Sequence, residues 1–238
     1  MNHLPWPRNK FARKLRETGS SAYHHRHPFH VLMNSGRLDR AAIQLWVANR
    51  FYYQTSIPIK DAAIMSNCAL REVRRVWLHR ITDHDGLRED EGGIGAWLRL
   101  GAACGVPRKA LLSHERVLPG VRFAVDAYVN FARTRPWPIA VASSLTELFA
   151  PDLMAKRLAA FKKFYSWVEP GGLDYFARRL SQAPRDSLEA LALTLDHCVT
   201  LELQQAAVAA LQFKCDLLWA MLDAIHSASP GSKSRPGK

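Results

Sequence analysis

Residues 46–64, WVANRFYYQTSIPIKDAAI, set the problem. Wound as a helix at about 100° per residue, Trp46, Tyr53, Ile57 and Ile64 share one face. Val47, Phe51 and Met65 cover a second side, and Tyr52, Ile59 and Ala63 a third. A helix that is apolar nearly all round is a buried one. Yet Arg50, Lys60 and Asp61 fall on the face of Trp46 and Tyr53, not opposite it.

Elsewhere the pattern is helical too, and no window keeps a two-residue alternation of β-branched positions. Helices are predicted near 9–18, then from just after Asp39 through the opening stretch with a kink or break at Pro58. Further helices are predicted over about 69–84, stopping at Asp85–Gly86, and over GGIGAWLRLGAACG, stopping at Gly105. Others follow near 118–134, 137–149 and 151–165, with Pro136, Pro138 and Pro151 as breaks. A short helix starts at Gly171–Gly172, and a last long one runs from about Pro184 to Ile225. The expectation is one all-α domain over 1–226, a compact multi-helix bundle with an internal ligand cavity, and a disordered basic tail over 227–238.

The misplaced polar residues recur. Lys214 precedes Leu217, Leu218, Met221 and Ile225 along one apolar stripe. Arg80 and His84 lie one turn apart on a helix marked by Val73, Val76, Trp77 and Ile81. Thr146 and Glu147 sit inside SSLTELFA, and Arg178 and Arg179 follow Tyr175 and Phe176. An isolated buried charge costs several kcal/mol. A single long cation can reach water along its own stem, but four helices doing so together point to a cavity lined by cations. Its ligand would be compact and carry several carboxylates or phosphates.

The chain has 238 residues and a formal net charge of +12. Its Lys and Arg are scattered and no nucleic-acid motif is present, so a small anionic ligand fits better than nucleic acid. The four cysteines form no CxxC pair, which suits reduced thiols in the cytoplasm. No leader and no apolar run of about 18 residues is apparent, so no membrane span is expected. His24, His25, His27 and His30 in HHRHPFH match no standard metal spacing. His84, between Asp83 and Asp85, reads either as a capping group or as an acid/base near neutral pH. Glu-x-x-His pairs, GxGxxG and Walker loops are all missing.

Long blocks carry a more specific signal: YHHRHPFHVLMNSG, WVANRFYYQTSIPIKDAAIM, RITDHDG, GGIGAWLRLG, VLPGVRFAVDAYVNFAR, SSLTELFAP, RLSQAPRD and LQFKCDLLWAMLDA. Over about residues 20–226 the chain resembles the pyrroloquinoline-quinone synthase family. The resemblance implies a haem-oxygenase-like helical bundle and a homodimer. It implies ring closure and an eight-electron oxidation of a bicyclic polycarboxylate quinone by O2, with no metal or organic cofactor and with pyrroloquinoline quinone as bound product. The positions it implies for ligand binding are Tyr23, His24, Arg50, Gln54, Lys60, Arg80, Tyr128, Thr146, Glu147, Arg157 and Lys214. For proton transfer and O2 handling they are His84, Tyr175 and Arg179, with His24 as a second base. The family pattern places a histidine beside the oxygen pocket where this chain has Met154, which can neither donate a proton nor hydrogen-bond a peroxide. Two other readings stay open. One is a thiaminase-like hydrolase or a haem or di-iron oxygenase on the same fold, with His24 the nearest axial ligand. The other is a non-catalytic quinone-binding or delivery protein, with Met154 as its mark.

Overall fold

A computed structural model describes residues 4–230. Among them there are helices and turns and no strand. Helix α1 (Arg8–Ala22) leads into a 3-10 turn (His24–Arg26) and a short α2 (Pro28–Asn34). The histidine-rich stretch is thus largely helical. The His27 ring caps α2 by accepting from Phe29 N at 3.1 Å, and Pro28 sits at the first helical position, where its missing N–H costs nothing.

Helix α3 (Arg40–Ser66) starts on Asp39, whose carboxylate accepts from Ala42 N at 2.7 Å. It runs unbroken through Pro58, where a break was one of two expectations. The helix predicted over 69–84 is two, α4 (Arg71–Trp77) and α5 (His79–Asp85), separated at Leu78. The second ends as predicted at Gly86, whose φ of 78° is a conformation glycine takes readily. Helix α6 (Gly92–Ala103) is followed by a short α7 (Arg108–Leu112) that the pattern did not announce. Helix α8 (Pro119–Thr134) matches its prediction.

The helix expected over 137–149 is α9 (Trp137–Ala142) followed by a 3-10 segment (Ser143–Phe149). Helix α10 (Ala150–Phe164) begins at its own Pro151 in the first turn. After a 3-10 turn (Pro170–Leu173) comes α11 (Asp174–His197) and then α12 (Leu201–Ala228). These replace the single long helix predicted from Pro184. That proline lies inside α11, and the true break is at Cys198–Thr200, where the Thr200 hydroxyl accepts from Leu203 N at 3.2 Å. Helix α12 runs three residues past the expected end, and the Ser229 hydroxyl donates to Ile225 O at 2.8 Å. The rest of the expected tail, 231–238, lies outside the described residues.

Helix α3 packs on α8, α5 and α6, and α12 packs on α8, α1 and the 3-10 segment. Helix α10 packs on α11. Trp46, Phe51, Trp97, Phe161 and Phe176 are fully buried between these layers. A second cluster, around Phe11, Trp77, Leu145 and Leu211, fills the other end. No described helix is long and apolar enough to cross a membrane. The third side of α3 is buried only in part: Ala63 is buried and Tyr52 half-buried, while Ile59 is half exposed.

Candidate functional site

Within the first cluster lies a cavity of about 60 Å³, its apolar wall made by Tyr23, Trp46, Tyr53, Ile57 and Met221 among others. Helix α3 contributes Trp46, Arg50, Tyr53 and Ile57 to its wall, and α5 contributes His84. The 3-10 turn after α1 gives His24, beside Tyr23, and α2 gives His30. The 3-10 segment gives Thr146 and Glu147, while α10 gives Met154 and Arg157. Helix α11 supplies Tyr175 and Arg179, and α12 supplies Leu218, Met221 and Leu222. A water needs on the order of 10–15 Å³ on this measure, so only a few would fit. Ligand pockets are usually several hundred Å³, so a two-ring ligand enters only if the walls part.

Of the fifteen positions singled out from sequence, ten line this cavity: Tyr23, His24, Arg50, His84, Thr146, Glu147, Met154, Arg157, Tyr175 and Arg179. The other five stand directly behind them. The Gln54 amide donates to the Tyr175 hydroxyl at 2.9 Å. Lys60 pairs with Asp61 at 2.5 Å and donates to Ser144 at 3.2 Å. Arg80 donates to Glu147 at 2.5 Å. Lys214 donates to the Tyr53 hydroxyl at 2.7 Å and sits 3.3 Å from the centre of the Tyr128 ring. Arg178 is exposed and takes no part. The sequence reading missed His30 as a wall residue, although it belongs to the quoted HHRHPFH block.

The site's charges do not balance. Lys60 is matched by Asp61, Arg80 by Glu147, and Arg179 by Asp186 at 3.0 Å and Glu147 at 3.4 Å. Trp77 Nε1 donates to Asp61 at 2.9 Å, so the acid in the opening stretch anchors the base of the site. Burial alone would raise the Asp61 carboxyl, but Lys60 and Arg80 outweigh it and hold it below its usual value. Burial also works against the charge of Arg80, yet Glu147, Asp61 and Asp186 raise it above normal. Among the described residues, Arg50, Arg157 and Lys214 have no acid partner. Arg50 lies 3.7 Å over the Tyr53 ring and its Nη1 makes no hydrogen bond within the protein. The Nε of Arg157 and the Nδ1 of His24 are equally unpartnered. Burial first, then Arg50, pushes Arg157 down to about 10. Burial, then Lys60 and Arg50, pushes Lys214 well below its ordinary value. Two unmatched cations in the wall, a third behind Tyr53 and several idle donors suit a ligand with several carboxylates.

The acid/base groups are separately tuned. His84 Nδ1 lies 3.0 Å from the Arg80 carbonyl, so that nitrogen carries the proton and Nε2 is the basic one. Burial, then Arg179, pushes His84 down to about 4, which leaves it neutral and able to accept a proton at pH 7. Burial, then Arg157 and Arg50, lowers His24 well below its usual value. Burial raises the hydroxyls of Tyr23, Tyr53 and Tyr128. Met154 is buried in the wall, so its thioether faces the cavity where an imidazole was expected.

Among the described residues, His79, Asp186 and Glu189 come close enough together to hold a metal. Asp186 is already gripped by Arg179 and by Arg185 at 2.9 Å, which disfavours a cation there. The histidines of HHRHPFH do not converge either. His27 Nε2 donates to Asp223 at 3.0 Å, His25 is half-buried beside Arg26, and His24 and His30 face the cavity. All four cysteines are buried and free, and none lines the cavity, which removes the nucleophile a thiaminase-like reading needs.

Solved structures with this architecture include a domain of unknown function with a haem-oxygenase-like fold from Shewanella denitrificans. It has a TM-score of 0.74 and 15% identity, and covers 97% of this chain and 99% of that one. A TenA homolog from Pseudomonas syringae pv. tomato gives a TM-score of 0.72 at 14% identity, over 90% of this chain and 92% of that one. The fold is therefore all-α and haem-oxygenase-like. A protein of Cronobacter sakazakii named pyrroloquinoline-quinone synthase is 58% identical over 220 residues, 92% of this chain and 87% of its own length. One of the same name from Pseudomonas aeruginosa is 55% identical over 228 residues, 96% of this chain and 91% of its own. Residues 12–224 match the TENA/THI-4/PQQC family pattern, and the chain belongs to that family.

Proposed function

We propose that this chain is a pyrroloquinoline-quinone synthase. On this reading it closes the last ring of a bicyclic polycarboxylate quinone and oxidises the product with O2 as electron acceptor. The observation that carries the reading is Arg50 and Arg157 in the cavity wall with Lys214 behind Tyr53, three cations without an acid partner among the described residues. The high identity to relatives of that name supports it.

The residues divide into roles. Arg50, Arg157 and Lys214 clamp the carboxylates and orient the substrate amine toward a quinone carbonyl, an entropic gain for ring closure. Lys60, Arg80, Gln54 and Tyr128 hold the cavity wall, with Tyr23, Thr146 and Glu147 bounding it. Neutral His84, with His24 as a second base, removes carbon-bound protons. The electron-rich quinol then passes its electrons to O2, and Arg179 with Tyr175 stabilises the reduced oxygen. The substrate supplies the redox chemistry, so we assign no metal or organic cofactor. The same proposal includes a homodimer, as the resemblance implies. It also includes a cytoplasmic setting, supported by four free cysteines, and no nucleic-acid or membrane partner.

The test is incubation of chelator-treated protein with the bicyclic precursor in air, followed by mass spectrometry. Ring-closed, oxidised quinone is expected. No change in the precursor would overturn the reading, and conversion only after iron or zinc is added would overturn its cofactor-free part.

A further inference from the structure

His30 is buried on α2, 2% exposed, and its ring lies 4.9 Å from that of His24. Its Nδ1 is 3.1 Å from the His24 carbonyl. A carbonyl only accepts, so Nδ1 bears the proton and Nε2 carries a free lone pair. That lone pair faces Arg157 Nη2 at 2.9 Å. Burial, then Arg157 itself, pushes His30 well below its usual range, so the ring stays neutral beside the guanidinium. One side chain thereby ties two walls of the cavity together, the 3-10 turn that carries His24 and the helix that carries Arg157.

The choice of residue matters. Arg157 otherwise meets aromatic faces, Trp46 at 5.0 Å and Phe176 at 5.8 Å, and its Nε is unpartnered. An apolar residue at position 30 would leave the guanidinium free to change rotamer. A carboxylate there would hold it equally well but cancel its charge. A neutral acceptor fixes its direction and leaves the charge for the ligand. His27, one turn earlier, uses the opposite tautomer to cap its helix, so the histidines of this stretch serve separate tasks.

We propose that His30 is a positioning residue, a neutral acceptor that aims the Arg157 guanidinium at a carboxylate of the bound quinone. This rests on the reading above, in which the ligand is a polycarboxylate quinone. Removing the acceptor frees Arg157 without altering the formal charge of the cavity.

The experiment has two parts. The first needs no ligand. Nitrogen-15 correlation spectra of the full chain should show the His30 ring as the Nδ1-protonated tautomer, and the Arg157 side-chain signals should broaden in His30→Leu but not in His30→Gln, whose amide keeps an acceptor. The second measures pyrroloquinoline quinone binding in a mutant cycle. His30→Leu should weaken binding by about tenfold, the worth of a hydrogen bond near a charge. His30→Gln should recover most of it. In an Arg157→Met background, His30→Leu should change nothing further. Equal weakening with and without Arg157, or an Nε2-protonated ring, would overturn the positioning role. A parent chain that has the stated tautomer but does not bind the quinone would instead overturn the functional reading, and with it the ligand named here.

Discussion

Each cation of the site belongs to one of two classes, and the classes behave differently on removal. Arg80 is held by Glu147 and by Asp61 at 3.7 Å, so Arg80→Met strips the buried Asp61 and the partly buried Glu147 of a partner. That should lower stability by about 3 kcal/mol, the low end for breaking a buried pair. Arg50 has no such partner, so Arg50→Met should leave the melting temperature unchanged or raise it. It should weaken quinone binding by about 1–3 kcal/mol, the range for charge-assisted hydrogen bonds. Thermal melts and binding titrations of both variants check this, and equal destabilisation would sink the distinction. Lys214 adds a pH effect. Its neighbours are Tyr53, Lys60 and Arg50 on α3, Tyr128 on α8, Glu147 on the 3-10 segment and Cys215 on its own helix. Held well below its ordinary value, it is the cation most ready to be neutral in the free protein. A carboxylate beside it favours the charged form and raises its pKa. Binding then takes up a proton, and affinity falls as pH rises between the free and bound values of Lys214. Calorimetry in two buffers of different ionisation enthalpy should show net proton uptake that disappears in Lys214→Met. The family resemblance implies a histidine where this chain has Met154. Steps that protonate reduced oxygen should suffer most, and a lost general acid costs roughly 10²–10⁴-fold. Met154→His should therefore oxidise the bound intermediate faster in stopped-flow absorbance after O2 is added. Equal rates would show that the position donates no proton here.

Short irregular elements, more than the long helices, carry the site. The 3-10 segment Ser143–Phe149 brings Thr146 and Glu147 to the wall, and it rests on α1 through Phe149. Gly19 makes that contact possible, because a Cβ there would lie 2.1 Å from the Phe149 ring. Phe149 in turn packs on Tyr23, 5.5 Å between ring centres. Gly19→Ala should cost about 1–3 kcal/mol through overpacking and loosen quinone binding, read by urea titration and by product affinity. Unchanged values for both would show that Phe149 moves aside freely. The same elements mark where sequence reading failed. Helix α8 and the Asp85–Gly86 stop were legible, because the apolar spacing and the glycine signal agree there. The break at Cys198–Thr200 was hidden because no Gly or Pro marks it, and Thr200 is a capping signal only once the break is known. Pro184 reads as a helix start, yet it is carried inside α11. The 3-10 segment keeps helix-like apolar content, so periodicity could not tell it from α9. In the site, Lys214, Arg80 and Arg50 stood out because a cation on an apolar stripe breaks the pattern. His30 did not, since a histidine in a histidine-rich stretch breaks nothing. Its task is set by a residue 127 positions away, Arg157.

At the scale of the molecule, the larger apolar cluster surrounds a pocket that holds more positive than negative charge. Uncompensated buried cations cost stability, and the large aromatic core around Trp46, Trp97 and Phe176 offsets that cost. The pocket is also smaller than a two-ring ligand, so binding has to part the walls and reclose them around the anion. Reclosing excludes water and strengthens every charge contact inside. The central claim is that electrons pass from the bound substrate to O2 with no other carrier. The direct measurement is anaerobic mixing of chelator-treated protein with the bicyclic precursor, followed by air, with the absorbance recorded throughout. The account predicts a bound, unoxidised complex that persists without O2 and turns into the final quinone when air is admitted. Final quinone formed before air, or a complex that stays unchanged in air until a metal or flavin is added, would contradict it.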